Sequence, residues 1–202
     1  MQLAKANKEN DDKLLPLGKT GDGLLIGNDI IDWQIAKRQI QNIERRRLEK
    51  LFNPTEIEDI INAENQILFY WKLWAAKEAA YKAWQRFTIS EPVFNPKYFN
   101  CKILSEDKIK VQTSSLKFDI NIERKPEYIQ AFIEIEEYSN LVFKTTEYQH
   151  FISALNEKNW LIEKAQFNIP YIKNKLTEKR FPVSLSHDGR FYALSISKFV
   201  IE

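Results

Sequence analysis

In the stretch WAAKEAAYKAW (74–84), two tryptophans bracket Lys77, Glu78 and Lys82, and alanine fills most of the rest. At about 100° per residue, Lys77, Glu78, Tyr81 and Lys82 fall on neighbouring positions of one helix face. A Glu78–Lys82 pair spaced i,i+4 would stabilise such a helix by roughly 0.2–0.5 kcal/mol and accounts for one lysine. It does not account for two cations and an anion inside an apolar segment, because buried charges need partners. Two lysines and one glutamate leave a positive excess that a phosphate would balance. A further carboxylate, Asp29, sits among aliphatic neighbours in LLIGNDIIDW (24–33). Magnesium commonly takes one or two protein carboxylates and completes its shell with water and phosphate oxygens. Asp29 and Glu78 are therefore a candidate metal pair, and Lys77 and Lys82 candidate phosphate contacts.

A third set of polar groups lies in VSLSHDG (183–189). In a strand, Val183, Leu185 and His187 share one face, and Ser184 and Ser186 the other. Ser186 and His187, beside a turn, can donate to a phosphate oxygen. The plainer reading is a structural histidine at a strand end. Asp32 has a plain reading too, as the cap of the helix that follows. A magnesium nuclease draws on the same inventory, with an aspartate and Glu-x-Lys on a strand. Here the order is Lys–Glu and the next lysine follows Glu78 by four, which suits a helix.

These residues need elements to carry them. LLIGNDIIDW reads as a buried strand running into a helix start, with Asp29 and Ile31 on one face. The run 35–52 has helical spacing, and from Lys37 to Lys50 it holds six basic and two acidic residues. That local excess is either a solvated helix face or a docking surface. NPTE (53–56) stops one helix and starts the next, with Pro54 or Thr55 at the entry. Residues 56–86 read as one long helix or a pair. FDINIER (118–124) and IQAFIEIEE (129–137) alternate strictly, as half-buried antiparallel strands do. TTEYQHFISAL (145–155) offers a threonine cap and a helical apolar face. The segment 183–197 reads as two short strands around an Asp188–Gly189 turn.

The 202 residues suit one domain or one with an insertion, and 44% hydrophobic content supports a large core. A single cysteine, Cys101, excludes an internal disulfide and a cysteine metal cluster, and two histidines exclude a histidine-rich one. The net charge of +2 says little about partners and gives no sign of nucleic-acid binding. The start lacks the apolar run of a signal peptide, and no stretch is long enough to span a membrane. The expected setting is the reducing cytoplasm. Residues 1–22 read as a flexible leader and 23–202 as the folded domain. Gly–Lys–Thr in GKTGDG (18–23) is a weak phosphate loop, lacking the full spacing and a preceding strand.

The ordered set IGNDIID (26–32), FNPTE (52–56), WAAKEAAYKAW (74–84), NIPYI (168–172) and VSLSHDGRFYALSIS (183–197) resembles the motifs of the 4′-phosphopantetheinyl transferase superfamily. With the aspartate motif first and the Ser–His motif last, it resembles the short holo-acyl-carrier-protein synthase type. The resemblance implies an α+β fold, an antiparallel sheet packed on the motif helix. It also implies transfer of the phosphopantetheine arm of coenzyme A onto a serine of an apo carrier protein, releasing adenosine 3′,5′-bisphosphate. In that reading Asp29 and Glu78 hold Mg²⁺, Lys77 and Lys82 contact the phosphates, and Ser186 and His187 contact the nucleotide end. Glu78 and Lys82 become the catalytic pair, with Glu78 or a water as base. A non-catalytic carrier-binding protein of the same fold is the alternative.

The chain departs from that pattern in several places. Ile31 stands where the long type has a second carboxylate, so Asp32 is only a possible metal-site residue. The glycine turn usual after the second lysine is replaced by QRFTIS (85–90). Residues 88–165 exceed the short type. In the short type the site forms between subunits, which implies a closed homo-oligomer, a trimer, with His187 facing the neighbour's Asp29 and Glu78. The enlarged segment would either obstruct that assembly or supply a second lobe within one chain.

Overall fold

The computed structural model describes residues 24–40 and 42–202. The leader and the GKTGDG turn lie outside them. The first half of the chain starts with strand β1 (Asn28–Asp32), followed by helices α1 (Trp33–Gln39), α2 (Arg45–Leu51), α3 (Pro54–Asn62) and α4 (Gln66–Thr88). Strands β2 (Asn100–Ser105), β3 (Lys108–Gln112), β4 (Lys117–Arg124) and β5 (Tyr128–Phe132) complete it. They form an antiparallel sheet in the order β1-β5-β4-β3-β2. Helix α4 lies across this sheet, as the α+β expectation requires.

Alanine, leucine, glutamate and lysine favour the helical state of α4. Asn65 caps its start by accepting from the Leu68 N–H. Ala75, Ala76, Ala79, Ala80 and Ala83 are fully buried, and this short-side-chain stripe lets β1 come close. At Gly27 a Cβ would lie 2.1 Å from the Ala79 carbonyl oxygen, so only glycine fits where the chain enters β1.

The second half comprises β6 (Tyr138–Lys144), α5 (Thr145–Glu157), β7 (Trp160–Lys164), β8 (Pro170–Asn174), β9 (Arg180–Pro182), β10 (Ser184–Asp188), β11 (Phe191–Ser197) and α6 (Lys198–Ile201). It holds two three-stranded sheets, β10-β11-β6 and β7-β8-β9. Its core gathers Leu155, Trp160, Ile172, Val183, Leu194, Ile196 and Val200. The two halves meet where β10 runs alongside β1. Side chains make the ties: Ser184 Oγ accepts from the Asn28 N–H at 3.1 Å, and Asp188 Oδ2 from the Asp32 N–H at 2.8 Å. Ile30, Phe191 and Ala193 close the seam with apolar contact.

Three local expectations need correction. The basic run is not one helix: Ile40 adopts extended dihedrals and buries its side chain, which separates α1 from α2. The strand expected over 129–137 stops at Phe132; the Ile133 N–H then bonds the Gly27 carbonyl and the chain turns toward β6. Helix α5 is capped by Lys144, whose N–H donates to Glu147 Oε2 at 2.8 Å, and Thr145 is already helical. Pro54 opens α3 after Asn53, and the hairpin β10–β11 turns at Asp188–Gly189, as read from the sequence.

Candidate active site

Strand β1 sits at the sheet edge nearest the second half and presents Asp29 toward α4. Lys82, on α4, donates to Asp29 Oδ1 at 3.0 Å and to the Asn28 carbonyl at 2.9 Å. Ser186, on β10, donates to the same Oδ1 at 2.7 Å. Among the described residues both hydrogen bonds to Asp29 end on Oδ1. Glu78 lies one helical turn before Lys82, on the face that carries it. Burial first, and the charge of Asp29 second, push its carboxyl up to about 7, while Lys82 pulls the other way. Lys82 pairs with Asp29 and leaves the buried Glu78 without a cation of its own, which favours its protonated form. A divalent cation fits such a donor set, which is all oxygen and lacks a balancing positive charge.

Lys77 is not part of this group. Its ammonium is fully buried and bonds Glu56 Oε2 at 2.7 Å and the Pro96 carbonyl at 2.9 Å. Lys77 and Lys82, five residues apart, stand about 140° from each other around the helix. The expected phosphate contact is therefore replaced by an internal ion pair. Glu56 is held in turn by the Cys101 N–H at 2.7 Å, and its Oε2 accepts from the Asn53 N–H at 2.8 Å. The i,i+4 pair between Glu78 and Lys82 does not form either, since Lys82 turns to Asp29.

Asp32 is the helix cap, and its oxygens are engaged there and by Arg190. It accepts from the N–H groups of Gln34 and Ile35 and forms a two-pronged pair with Arg190 at 2.7 and 2.9 Å. That guanidinium holds the fully buried carboxyl below its usual range. Gly189 makes room for it: at φ 52°, a Cβ there would lie 2.7 Å from Asp32 Oδ2. His187 alternates away from Ser186. It is exposed, its Nε2 lies 3.1 Å from the Gly189 carbonyl, and its ring packs on Tyr192 at 4.2 Å. Ser186 is thus brought to the carboxylate and His187 is not.

Beside Lys82 the seam opens into a pocket of about 300 Å³. Tyr81, Phe167 and Ile169 form part of its apolar wall, Ser184 touches it, and Lys82, Arg86 and Lys164 supply cations. Among the described residues no carboxylate lines it. Arg86 was not singled out in the sequence, although its place four residues after Lys82 puts it on the same face. No group of three or more acidic, histidine or cysteine residues suited to a metal occurs among the described residues. No helix among them is long and apolar enough to cross a membrane.

Comparison with the curated proteins gives no match, and comparison with the solved structures gives none. A family model does match. It covers residues 25–140, more than half of the chain, and takes in Asp29, Glu56, Glu78, Lys82 and the whole five-stranded sheet, ending before the Ser184–Asp188 strand. The family it describes transfers phosphopantetheine, uses coenzyme A and acts on carrier proteins. With that match, and with a carboxylate–lysine cluster where β1 crosses α4, the chain belongs to the 4′-phosphopantetheinyl transferase superfamily.

Proposed function

We propose that this protein is a holo-acyl-carrier-protein synthase-like enzyme. It moves the phosphopantetheine arm of coenzyme A onto a serine of an apo acyl or peptidyl carrier protein and releases adenosine 3′,5′-bisphosphate. The observation that carries the proposal is the convergence of Lys82 and Ser186 on Asp29, with Glu78 near enough to feel the charges of Asp29 and Lys82, where Lys82 also lines a pocket that among the described residues holds cations and no carboxylate.

Asp29 and Glu78 are the residues that would hold Mg²⁺, whose chemistry here is to neutralise charge on the diphosphate. Lys82 is fixed by Asp29 and the Asn28 carbonyl, so its ammonium needs no reorganisation to meet negative charge building on the leaving group. Ser186 orients Asp29 through Oδ1, the oxygen that also accepts from Lys82. The pocket beside Lys82 is of a size to take part of coenzyme A, with Lys82 and Lys164 offering charge to its phosphates. Segment 138–202 acts as a second lobe, so that one chain completes the site. Lys77 has a structural part only.

The test is incubation of the protein with coenzyme A, Mg²⁺ and each carrier protein of its host, read by intact mass. A gain of one phosphopantetheine on at least one carrier is expected. Carrier binding with no mass gain would assign a non-catalytic role, and metal-dependent cleavage of DNA would overturn the reading altogether.

A further inference from the structure

Arg86 lies in the last turn of α4 with 5% of its surface exposed, and among the described residues no carboxylate pairs with it. Its Nη2 donates to the Pro170 carbonyl at 2.6 Å and to the Val183 carbonyl at 2.5 Å. Its buried Nε has no partner among the described residues. Both carbonyls belong to the second half of the chain, and both segments border the pocket beside Lys82. One turn earlier than the helix end, Gln85 Nε2 donates to the Phe167 carbonyl at 3.3 Å. The last turn of α4 therefore holds the segment Phe167–Pro170.

That loop is strained. Phe167 and Asn168 both have left-handed dihedrals, at φ 58° and 62°, which side chains with a Cβ rarely adopt. Helix α4 itself ends on Ile89 at φ 48°, a β-branched residue in the same unfavourable region. Such conformations persist when neighbouring contacts over-determine them, and they concentrate where a ligand is clamped. Here the contacts are the turn's own backbone bonds between Ala165 and Ile169, to which α4 adds two side-chain donors. A buried guanidinium without a counter-ion is costly unless its hydrogen bonds are made, which ties Arg86 to these two carbonyls beside the pocket.

We propose that Arg86, assisted by Gln85, is a positioning residue for coenzyme A. It fixes the Phe167–Pro170 loop against α4 and so sets the shape of the pocket that receives the nucleotide substrate. The inference rests on the functional reading above. It extends that reading to a residue pair standing where QRFTIS replaces a glycine turn.

The experiment measures coenzyme A binding by calorimetry with Mg²⁺ and without carrier, and transfer kinetics with carrier, for the wild type and for Arg86→Met, Arg86→Lys and Gln85→Ala. Arg86→Met is expected to weaken coenzyme A binding at least tenfold and raise its KM in parallel. It should leave kcat at saturating coenzyme A within about threefold and the KM for carrier within twofold. Arg86→Lys, which keeps the charge and donors, should recover part of the loss. Gln85→Ala should weaken binding about threefold or more, and it decides the matter alone if Arg86→Met does not fold. Unchanged binding in the folded variants, or equal changes in kcat and both KM values, overturns the positioning role. A wild-type chain that binds no coenzyme A overturns the functional reading with it, whereas binding that ignores both residues overturns only this inference.

Discussion

Ser186 Oγ donates to Asp29 Oδ1 at 2.7 Å, joining residues 157 positions apart in the same chain. The strand with the Ser–His motif and the strand with the aspartate thus meet without a second subunit. The seam that aligns them is built from Asn28–Ser184 and Asp32–Asp188 bonds, all internal. A monomeric fraction isolated by size exclusion should therefore keep full specific activity, and the activity per chain should not fall on dilution. Activity confined to an oligomeric fraction would show that a neighbouring chain supplies part of the site. Within the same seam, Asp29→Asn keeps the shape and an acceptor for Ser186. It removes the charge facing Lys82 and the metal position. It should fold, by circular dichroism, and lose transfer by on the order of 10²-fold or more. Wild-type turnover would remove Asp29 from the site.

The buried pair of Glu56 and Lys77 gives the second prediction, and it separates structure from catalysis. Truncating one partner leaves the other charge buried and alone, at a typical cost of about 3–5 kcal/mol. Glu56 also satisfies the N–H groups of Asn53 and Cys101, so Glu56→Ala loses more than the pair. Chemical denaturation should show both Glu56→Ala and Lys77→Met strongly destabilised. The double substitution Glu56→Leu with Lys77→Met should recover much of the loss, because no bare charge remains. The fraction of Lys77→Met that stays folded should turn over within a few-fold of wild type. A loss of kcat with unchanged stability would return Lys77 to the phosphates.

Lys77 also shows where the sequence was legible and where it was not. Local pattern revealed the strand into helix at Asp29–Trp33, the Pro54 helix start, the long α4 and the last hairpin, because capping and periodicity act over a few residues. The spacing of Glu78 and Lys82 revealed that they share a face. Which side of α4 Lys77 takes depends on Glu56, twenty-one residues away, whose acidic character alone gave no sign of burial. Arg86 was hidden for the same reason, since its partners are carbonyls of Pro170 and Val183, which carry no side-chain signal. Strand alternation already set Ser186 and His187 on opposite faces in the sequence, and the structure keeps them so, with Ser186 alone on Asp29. The split of the basic run at Ile40 reflects tertiary burial overriding helical spacing.

Glu78 yields a prediction about pH. Its carboxyl is raised to about 7 from an ordinary 4.5, mainly by burial and then by Asp29. The unfolded chain gives up this proton near 4.5, while the folded chain holds it until about 7. The folded state of the free protein thus binds more protons between those values, and its stability should fall as pH rises from 4.5 through 7. Glu78→Gln should flatten that part of the profile in denaturation measured without divalent cations. A cation held by Asp29 and Glu78 competes with the same proton, so apparent Mg²⁺ affinity should climb through pH 6–7 and level off above about 8. Calorimetry in buffers of different ionisation enthalpy should detect proton release on binding near pH 6.5. A pH-independent Mg²⁺ affinity would show that Glu78 is not a ligand.

The basic residues on α1 and α2 give the last prediction. Arg38 and Arg46 are exposed, and Arg45, also exposed, pairs with Glu49 at 2.8 Å. An exposed pair of this kind contributes little and is screened by salt, so Arg45 remains open to exchange partners. The division of the run at Ile40 puts Arg38 near the end of α1 and Arg45 and Arg46 at the start of α2. Two short helices thus offer positive charge to an acidic carrier protein, whose approach such charge would speed. Reversing Arg45 and Arg46 to Glu should raise the KM for carrier tenfold or more and leave the KM for coenzyme A within about twofold. Raising salt should mimic the variant in the wild type and have less effect on the variant itself. Equal changes in both KM values would point to a folding defect, and an unchanged KM for carrier would move the docking surface elsewhere.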